Sequence, residues 1–160
     1  MSTIFFFDLD GTVIDSSHRQ GETLDDWRRM NTGANIAKDR ALPLASAMVA
    51  AIRAGLDVNI LTSRVMGEPD LNWLTLHAML PGHGCKVISR HPTDERPAGT
   101  YKLSKLLTYS QKTRITWEDL KKRSVIFDDD RDVQETLSLQ GFTVIDPITY
   151  NQLELVKLEA

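Results

Sequence analysis

Short unbroken apolar runs along this chain alternate with stretches whose apolar residues recur every three or four positions. Ile4-Phe5-Phe6-Phe7 is the first run, and four large hydrophobes in succession suit a strand covered on both faces. Leu56 to Leu61, Lys86 to Ser89, Ser124 to Phe127 and Phe142 to Ile145 read as four more strands. Leu44, Met48, Ala51 and Ile52 mark one face of a helix that Pro43 opens and Gly55 ends. Trp73, Leu76, His77 and Leu80 fall on one side of a helix from Asp70 to Leu80, broken by Pro81-Gly82-His83-Gly84. Leu103, Leu106, Leu107 and Ser110 carry helical spacing just after Lys102. Thr116 is placed to cap a helix from Trp117 to Arg123, and Val133 and Leu137 begin another that Gly141 closes. Asn151 to Leu158 forms the last helix. Strands alternating with helices predict an α/β fold, a doubly wound and mostly parallel five-stranded sheet.

One segment breaks this rhythm. Ile14 to Arg40 is polar, without a sustained period beyond one short helix near Leu24 to Met30. At about 27 residues it is long for a simple connection, and such segments usually serve as lids or binding loops. The chain is therefore expected to be one domain over 1–160, with a lid or cap segment at 14–40 inside it. A length of 160 residues allows a sheet of this size with its helices. The net charge of −3 gives no overall pull toward nucleic acid, so a polyanion would need a local basic patch. Cys85 is the single cysteine, which excludes an intrachain disulfide and fits a small buried hydrophobe in a reducing compartment. No apolar run approaches the roughly 20 residues of a membrane span. The N-terminal run has no basic flank and ends in acid, unlike a signal peptide. A cytoplasmic protein without membrane contact is expected.

The candidate chemistry lies where the strands end. Asp8 and Asp10 follow the first strand, Thr62-Ser63-Arg64 the second, Lys102 the loop after the third, and Asp128-Asp129-Asp130-Arg131-Asp132 the fourth. In a parallel sheet these ends share one edge, where open α/β sheets hold ligands. Carboxylates from Asp8 and Asp128 suit Mg²⁺, which prefers oxygen ligands beside one or two acids and a phosphate. Thr62 can donate to a phosphoryl oxygen, and Lys102 can supply a point charge to the same group. Asp10 can protonate a leaving alkoxide and then activate water. Each piece also has a plainer use: a turn, a helix start, or a solvated charge. Four acids in five residues after a buried strand nevertheless exceed what capping requires.

The order Asp-Leu-Asp-Gly-Thr, Thr62, Lys102, Asp128-Asp129 resembles the haloacid dehalogenase (HAD) superfamily of phosphatases, across most of the chain. The resemblance implies a Rossmann-like sheet with a minimal cap, a nucleophilic Asp8 that forms an aspartyl-phosphate, and an acid/base Asp10. It implies that Thr62, Ser63 and Lys102 bind the phosphoryl group. It further implies a Mg²⁺ held by Asp8, the backbone carbonyl of Asp10 and Asp128, assisted by Asp129. Asp132 also matches a spacing variant of that last motif, so the second acid is left open between Asp129 and Asp132.

Within the superfamily, the extended loop after Asp-Leu-Asp-Gly-Thr, the Thr-Ser-Arg strand end and Phe127-Asp128-Asp129 are similar to the phosphatase domain of phage-type polynucleotide kinase/phosphatases. No Gly-x-x-x-x-Gly-Lys-Ser/Thr stretch of a kinase half is present. This resemblance implies a phosphomonoester substrate, namely a nucleotide or a nucleic acid 3′-phosphate end. His18, Arg19 and Arg64 are the candidate substrate-binding groups, and Trp27 could stack a base. A small-metabolite phosphatase, acting for example on sugar phosphates, is the alternative. A receiver-type signalling domain that stores phosphate is a remote one, because receivers place the acid pair first and the Lys last. Nothing in the sequence distinguishes a monomer from a dimer.

Overall fold

The structure, a computed structural model, describes residues 1–80 and 86–159. The expected helix break at Pro81 to Gly84 and the expected burial of Cys85 lie outside the described residues. The chain opens with β1 (Ile4–Phe7), β2 (Ile14–Asp15) and a 3-10 turn at Ser17–Arg19. The helices α1 (Leu24–Met30) and α2 (Gly33–Ile36) follow, then β3 (Arg40–Ala41). Next come α3 (Leu44–Arg53), β4 (Asp57–Leu61), α4 (Glu68–Leu76) and β5 (Val87–Ile88). The remainder is α5 (Ala98–Thr113), α6 (Trp117–Arg123), β6 (Ser124–Phe127), α7 (Arg131–Leu139), β7 (Thr143–Ile145) and α8 (Ile148–Glu159).

Five strands form one parallel sheet in the order β5-β4-β1-β6-β7, as the alternation of elements predicts. β1 is central, with Phe7 opposite Ile60 on one side and Phe127 on the other. The chain thus winds away from β1 in both directions, which makes its carboxyl end a topological switch point. The unbroken apolar run of β1 follows from its position. Ile4 and Phe6 enter one core with Leu106, Tyr109, Leu120, Ile126, Val133 and Leu137. Phe5 and Phe7 face the other, with Leu44, Met48, Val58, Ile60 and Trp73. Side chains alternate along a strand, so a sheet with helices on both faces needs hydrophobes at every position.

Several elements differ from the sequence reading. The 14–40 segment holds two short helices and a two-stranded antiparallel ribbon of β2 and β3, not one helix. α5 begins at Ala98, so Lys102 sits in its second turn. α4 begins at Glu68 and ends at Leu76, and its inward residues are Asp70, Trp73 and Leu74, while Leu76 is 82% exposed. Asp70 explains that rotation: its carboxylate accepts from buried Arg64 at 2.7 Å, which turns the acid rather than Leu76 inward. Among the described residues no helix is long and apolar enough to cross a membrane.

A buried amide ties the far end of the chain to the first loop. α3 starts after Pro43, which offers no side-chain cap. Asn151 of α8 supplies one, its Oδ1 accepting from Leu44 N at 2.9 Å while its Nδ2 donates to Thr12 O at 3.0 Å. Asn151→Ala leaves both backbone groups buried without this partner, at a cost of about 1–3 kcal/mol. The expected result is a lower urea midpoint with an unchanged slope.

Candidate active site

The carboxyl ends of β1, β4 and β6 meet over a cavity of about 320 Å³. Asp8, Asp10, Ser63, Arg64, Lys102 and Asp129 line it, together with Gln20, Gly21 and Trp27 from the 14–40 segment. β1 continues its pairing one residue further, as Asp8 N donates to Phe127 O at 2.9 Å. That extension fixes Asp8 at the cavity floor, where it is 6% exposed. Lys102 Nζ donates to Asp8 Oδ1 at 2.8 Å and to Asp128 Oδ2 at 2.5 Å. Burial pushes both carboxyls up, most strongly Asp8, against the pull of the Lys102 charge. The ammonium is held in its charged form well above its ordinary value, because burial is outweighed by the two acids it joins.

The acidic run after β6 divides its labour. One carboxylate oxygen each from Asp8, Asp128 and Asp129 lie within 4.8 Å of one another. Asp130 instead caps α7, accepting from Asp132 N at 2.8 Å and Val133 N at 3.3 Å. Asp132 accepts from Gly99 N at 2.8 Å and so caps α5, whose N-cap Pro97 has no side chain to do it. Asp129, rather than Asp132, therefore stands with Asp8 and Asp128. Its nearness to the first loop depends on Gly11. A Cβ there would lie 2.1 Å from Asp129 Oδ2, and the residue has φ +75°, a backbone conformation that L side chains rarely adopt.

Asp10 sits under a different charge balance. Arg64 donates to it from Nη2 at 2.5 Å and from Nε at 3.2 Å, and Ser16 Oγ donates at 2.7 Å. Burial would raise this carboxyl, but the Arg64 charge and these hydrogen bonds hold it below its ordinary value. Arg64 is fixed in turn by Asp70 at 2.7 Å and Asp39 at 3.4 Å. Arg19 donates from Nε and Nη2 to the two oxygens of Asp39, each at 2.8 Å, and from Nη1 to Asn31 at 2.9 Å.

This network places the expected substrate-binding residues differently from one another. Arg19 is fully buried, is not among the residues lining the cavity and donates to Asp39. His18 faces a separate cleft with Asp15, Ser17, Asn35, Lys38 and Arg40, where its Nε2 lies 2.9 Å from Asn35 O. Arg64 does line the cavity, although its guanidinium is engaged by three carboxylates. Of the expected phosphate-binding residues, Ser63 and Lys102 line the cavity. Thr62 is fully buried and shapes the turn, its Oγ1 accepting from Arg64 N at 3.0 Å. The Ser63 hydroxyl is buried without a hydrogen-bond partner. Asp39, Asp70, Asn31 and Ser16 stand outside the candidate residues to which the sequence points. Asp39 has no signal between Lys38 and Arg40, whereas Gly67-Glu68-Pro69-Asp70 could have been read as a helix start with an inward acid.

The fold is HAD-like, and the chain is a phosphoric monoester hydrolase. The chain belongs to the family described as bacteriophage T5 5′-deoxynucleotidase, whose model matches residues 1–159. No curated protein matches the sequence. Among solved structures, a HAD-like hydrolase from Streptococcus pneumoniae superposes with a TM-score of 0.65 at 12% identity, covering 99% of each chain. A chain in a structure of a Pnkp1/Rnl/Hen1 RNA repair complex gives 0.65 at 17% identity, covering 91% of this chain but 42% of its own length. A predicted phosphoglycolate phosphatase from Haemophilus somnus gives 0.59 at 14% identity, covering 89% of this chain and 84% of the other. At these identities the likeness is one of fold.

Asp129 gives the site a pH signature. Burial, then the neighbouring Asp128 charge, push its carboxyl from 3.8 up to about 6. The folded state therefore binds this proton more tightly than the unfolded chain does. The protonated carboxyl favours folding below about pH 4, and that advantage is lost as pH rises to about 6. In metal-free buffer, Asp129→Asn is expected to reduce the fall in urea midpoint between pH 4 and 6, measured at several pH values.

Proposed function

We propose that this chain is a Mg²⁺-dependent phosphatase that releases phosphate from deoxynucleoside 5′-monophosphates through an aspartyl-phosphate on Asp8. The observation that carries the chemistry is the convergence of Asp8, Lys102, Asp128 and Asp129 at the switch point of the sheet. The family description supports the nucleotide.

The donor set fits the metal, since three carboxylates with oxygens within 4.8 Å of one another match a hard cation that takes oxygen ligands. Asp8, Asp128, Asp129 and the backbone carbonyl of Asp10 would hold it. Bound there, Mg²⁺ would offset the repulsion between an anionic carboxylate and an anionic phosphate. Lys102 and the unpartnered Ser63 hydroxyl, both in the cavity wall, would bind the phosphoryl oxygens. An Asp8 oxygen bonds to phosphorus while the bond from phosphorus to the ester oxygen breaks, and the leaving alkoxide takes a proton from Asp10. Asp10 then accepts a proton from water, whose oxygen bonds to phosphorus as the Asp8–phosphate bond breaks. The products are the nucleoside, inorganic phosphate and free Asp8. Arg64 holds Asp10 in the carboxylate form that serves this second half. The first half uses Asp10 in its protonated form, and the proton taken from water in the second half restores that form.

Asp8→Asn is expected to abolish phosphate release while leaving the unfolding free energy within about 1 kcal/mol of the parent, since a near-isosteric neutral amide replaces a buried acid. Chelation of divalent metal should stop turnover and Mg²⁺ should restore it. Phosphate release that survives either treatment would overturn the mechanism.

Deoxynucleoside 5′-monophosphates, 3′-phosphorylated oligonucleotides and sugar phosphates can be compared by kcat/KM in a phosphate-release assay. The 5′-monophosphates should lead by tenfold or more, about 1.4 kcal/mol in the transition state. A lead for the 3′-phosphate ends would move the assignment to strand repair, and a lead for sugar phosphates to small metabolites.

A further inference from the structure

α1 has no buried residue, so the sequence Leu24 to Met30 is not helical in order to fill a core. Among the described residues, Trp27 belongs to neither apolar core. Its ring lines the cavity that holds Asp8 and Lys102. The Arg19 guanidinium lies over that ring, 4.8 Å from its centroid. Arg19 does not itself line the cavity, so it backs the indole from the protein side.

Both supports of the ring are fixed. Arg19 is fully buried and locked to Asp39 by two hydrogen bonds of 2.8 Å. α1 is held at its start by a capping box, with Thr23 Oγ1 accepting from Asp26 N at 3.1 Å and Asp26 Oδ2 accepting from Thr23 N at 3.3 Å. Gly21, also in the cavity wall, lets the preceding loop pass directly over this turn. A Cβ there would fall 2.1 Å from Asp26 Cβ. An aromatic plane held this firmly costs little further ordering when a flat ligand settles on it.

From this geometry we infer that Trp27 is the base platform of the site, stacking the nucleobase of a single nucleoside monophosphate whose phosphate lies at Asp8 and Lys102. The inference rests on the phosphatase reading above and deepens it. A cavity of about 320 Å³ is at the low end of the range for small-molecule sites, which suits one nucleotide rather than a duplex. Stacking on a π face tolerates any base. Gln20 lies in the same wall, and its amide can both donate to and accept from a base edge. Ala98, a small side chain, also lines the cavity.

The test compares kcat/KM for a deoxynucleoside 5′-monophosphate with that for 2-deoxyribose 5-phosphate, which keeps the sugar phosphate and lacks the base. Trp27→Ala should shrink the preference for the nucleotide by about tenfold or more, the scale of one base–aromatic stack. Trp27→Phe, which restores an aromatic plane, should recover most of the preference. A preference equal to the parent's in Trp27→Ala would overturn the inference.

A second readout does not need turnover. Titration with the nucleotide should quench indole fluorescence in the parent and not in Trp27→Phe, where Trp73 and Trp117 remain. If the parent hydrolyses neither compound, the phosphatase reading falls and the quench alone decides. Its presence then supports a base platform, and its absence overturns one.

Discussion

The structure depends on an ammonium ion buried between two carboxylates. Lys102 reaches from the second turn of α5 to Asp8 after β1 and Asp128 after β6, joining groups that lie far apart in sequence. Two buried acids at the end of adjacent strands would repel each other and could not both stay ionised without compensation. The lysine supplies that compensation in the resting protein. It also leaves the pair poised for a further cation, because Asp129 brings a third carboxylate to the same place. A buried arrangement of this kind is a poor source of stability, since desolvation consumes most of the attraction. Its presence at a sheet edge points to chemistry.

A second charged cluster stands beside the first and has a different task. Arg64 and Arg19 are shared among Asp10, Asp39 and Asp70, with oxygen–nitrogen distances between 2.5 and 3.9 Å. Through it the 14–40 segment, which contributes Arg19, Asn31 and Asp39, is bound to the loop after β4 that carries Arg64. The two guanidiniums hold Asp10 ionised while Asp8 and Asp128 are pushed the other way by burial. Neighbouring carboxyls with opposite displacements are the usual basis for assigning distinct roles to chemically identical groups.

The same cluster explains why the 14–40 segment is well organised although α1 contributes no buried residue. Arg19 anchors on Asp39 below and presents its guanidinium to Trp27 above. The aromatic wall of the cavity, the ionisation of Asp10 and the rotation of α4 through Asp70 thus share one set of hydrogen bonds.

Hydrophobic periodicity by itself determined the five strands, their parallel arrangement and the edge on which Asp8, Ser63, Lys102 and Asp128 gather. A strand buried on both faces leaves an unbroken apolar signature, and parallel connection forces every such strand to end on the same side. The motif order along the chain was equally legible, because local sequence carries it. Tertiary structure alone decided which member of a charged run does what. Asp129 joins the acid trio while Asp130 and Asp132 turn to helix caps, since each side chain takes the direction its backbone gives it. Arg19 and Arg64 read in sequence as cations awaiting a ligand, while Asp39 gives no signal there. A long side chain can point to solvent or inward, and the choice depends on partners brought near by folding. Spacing along the chain holds no record of those partners.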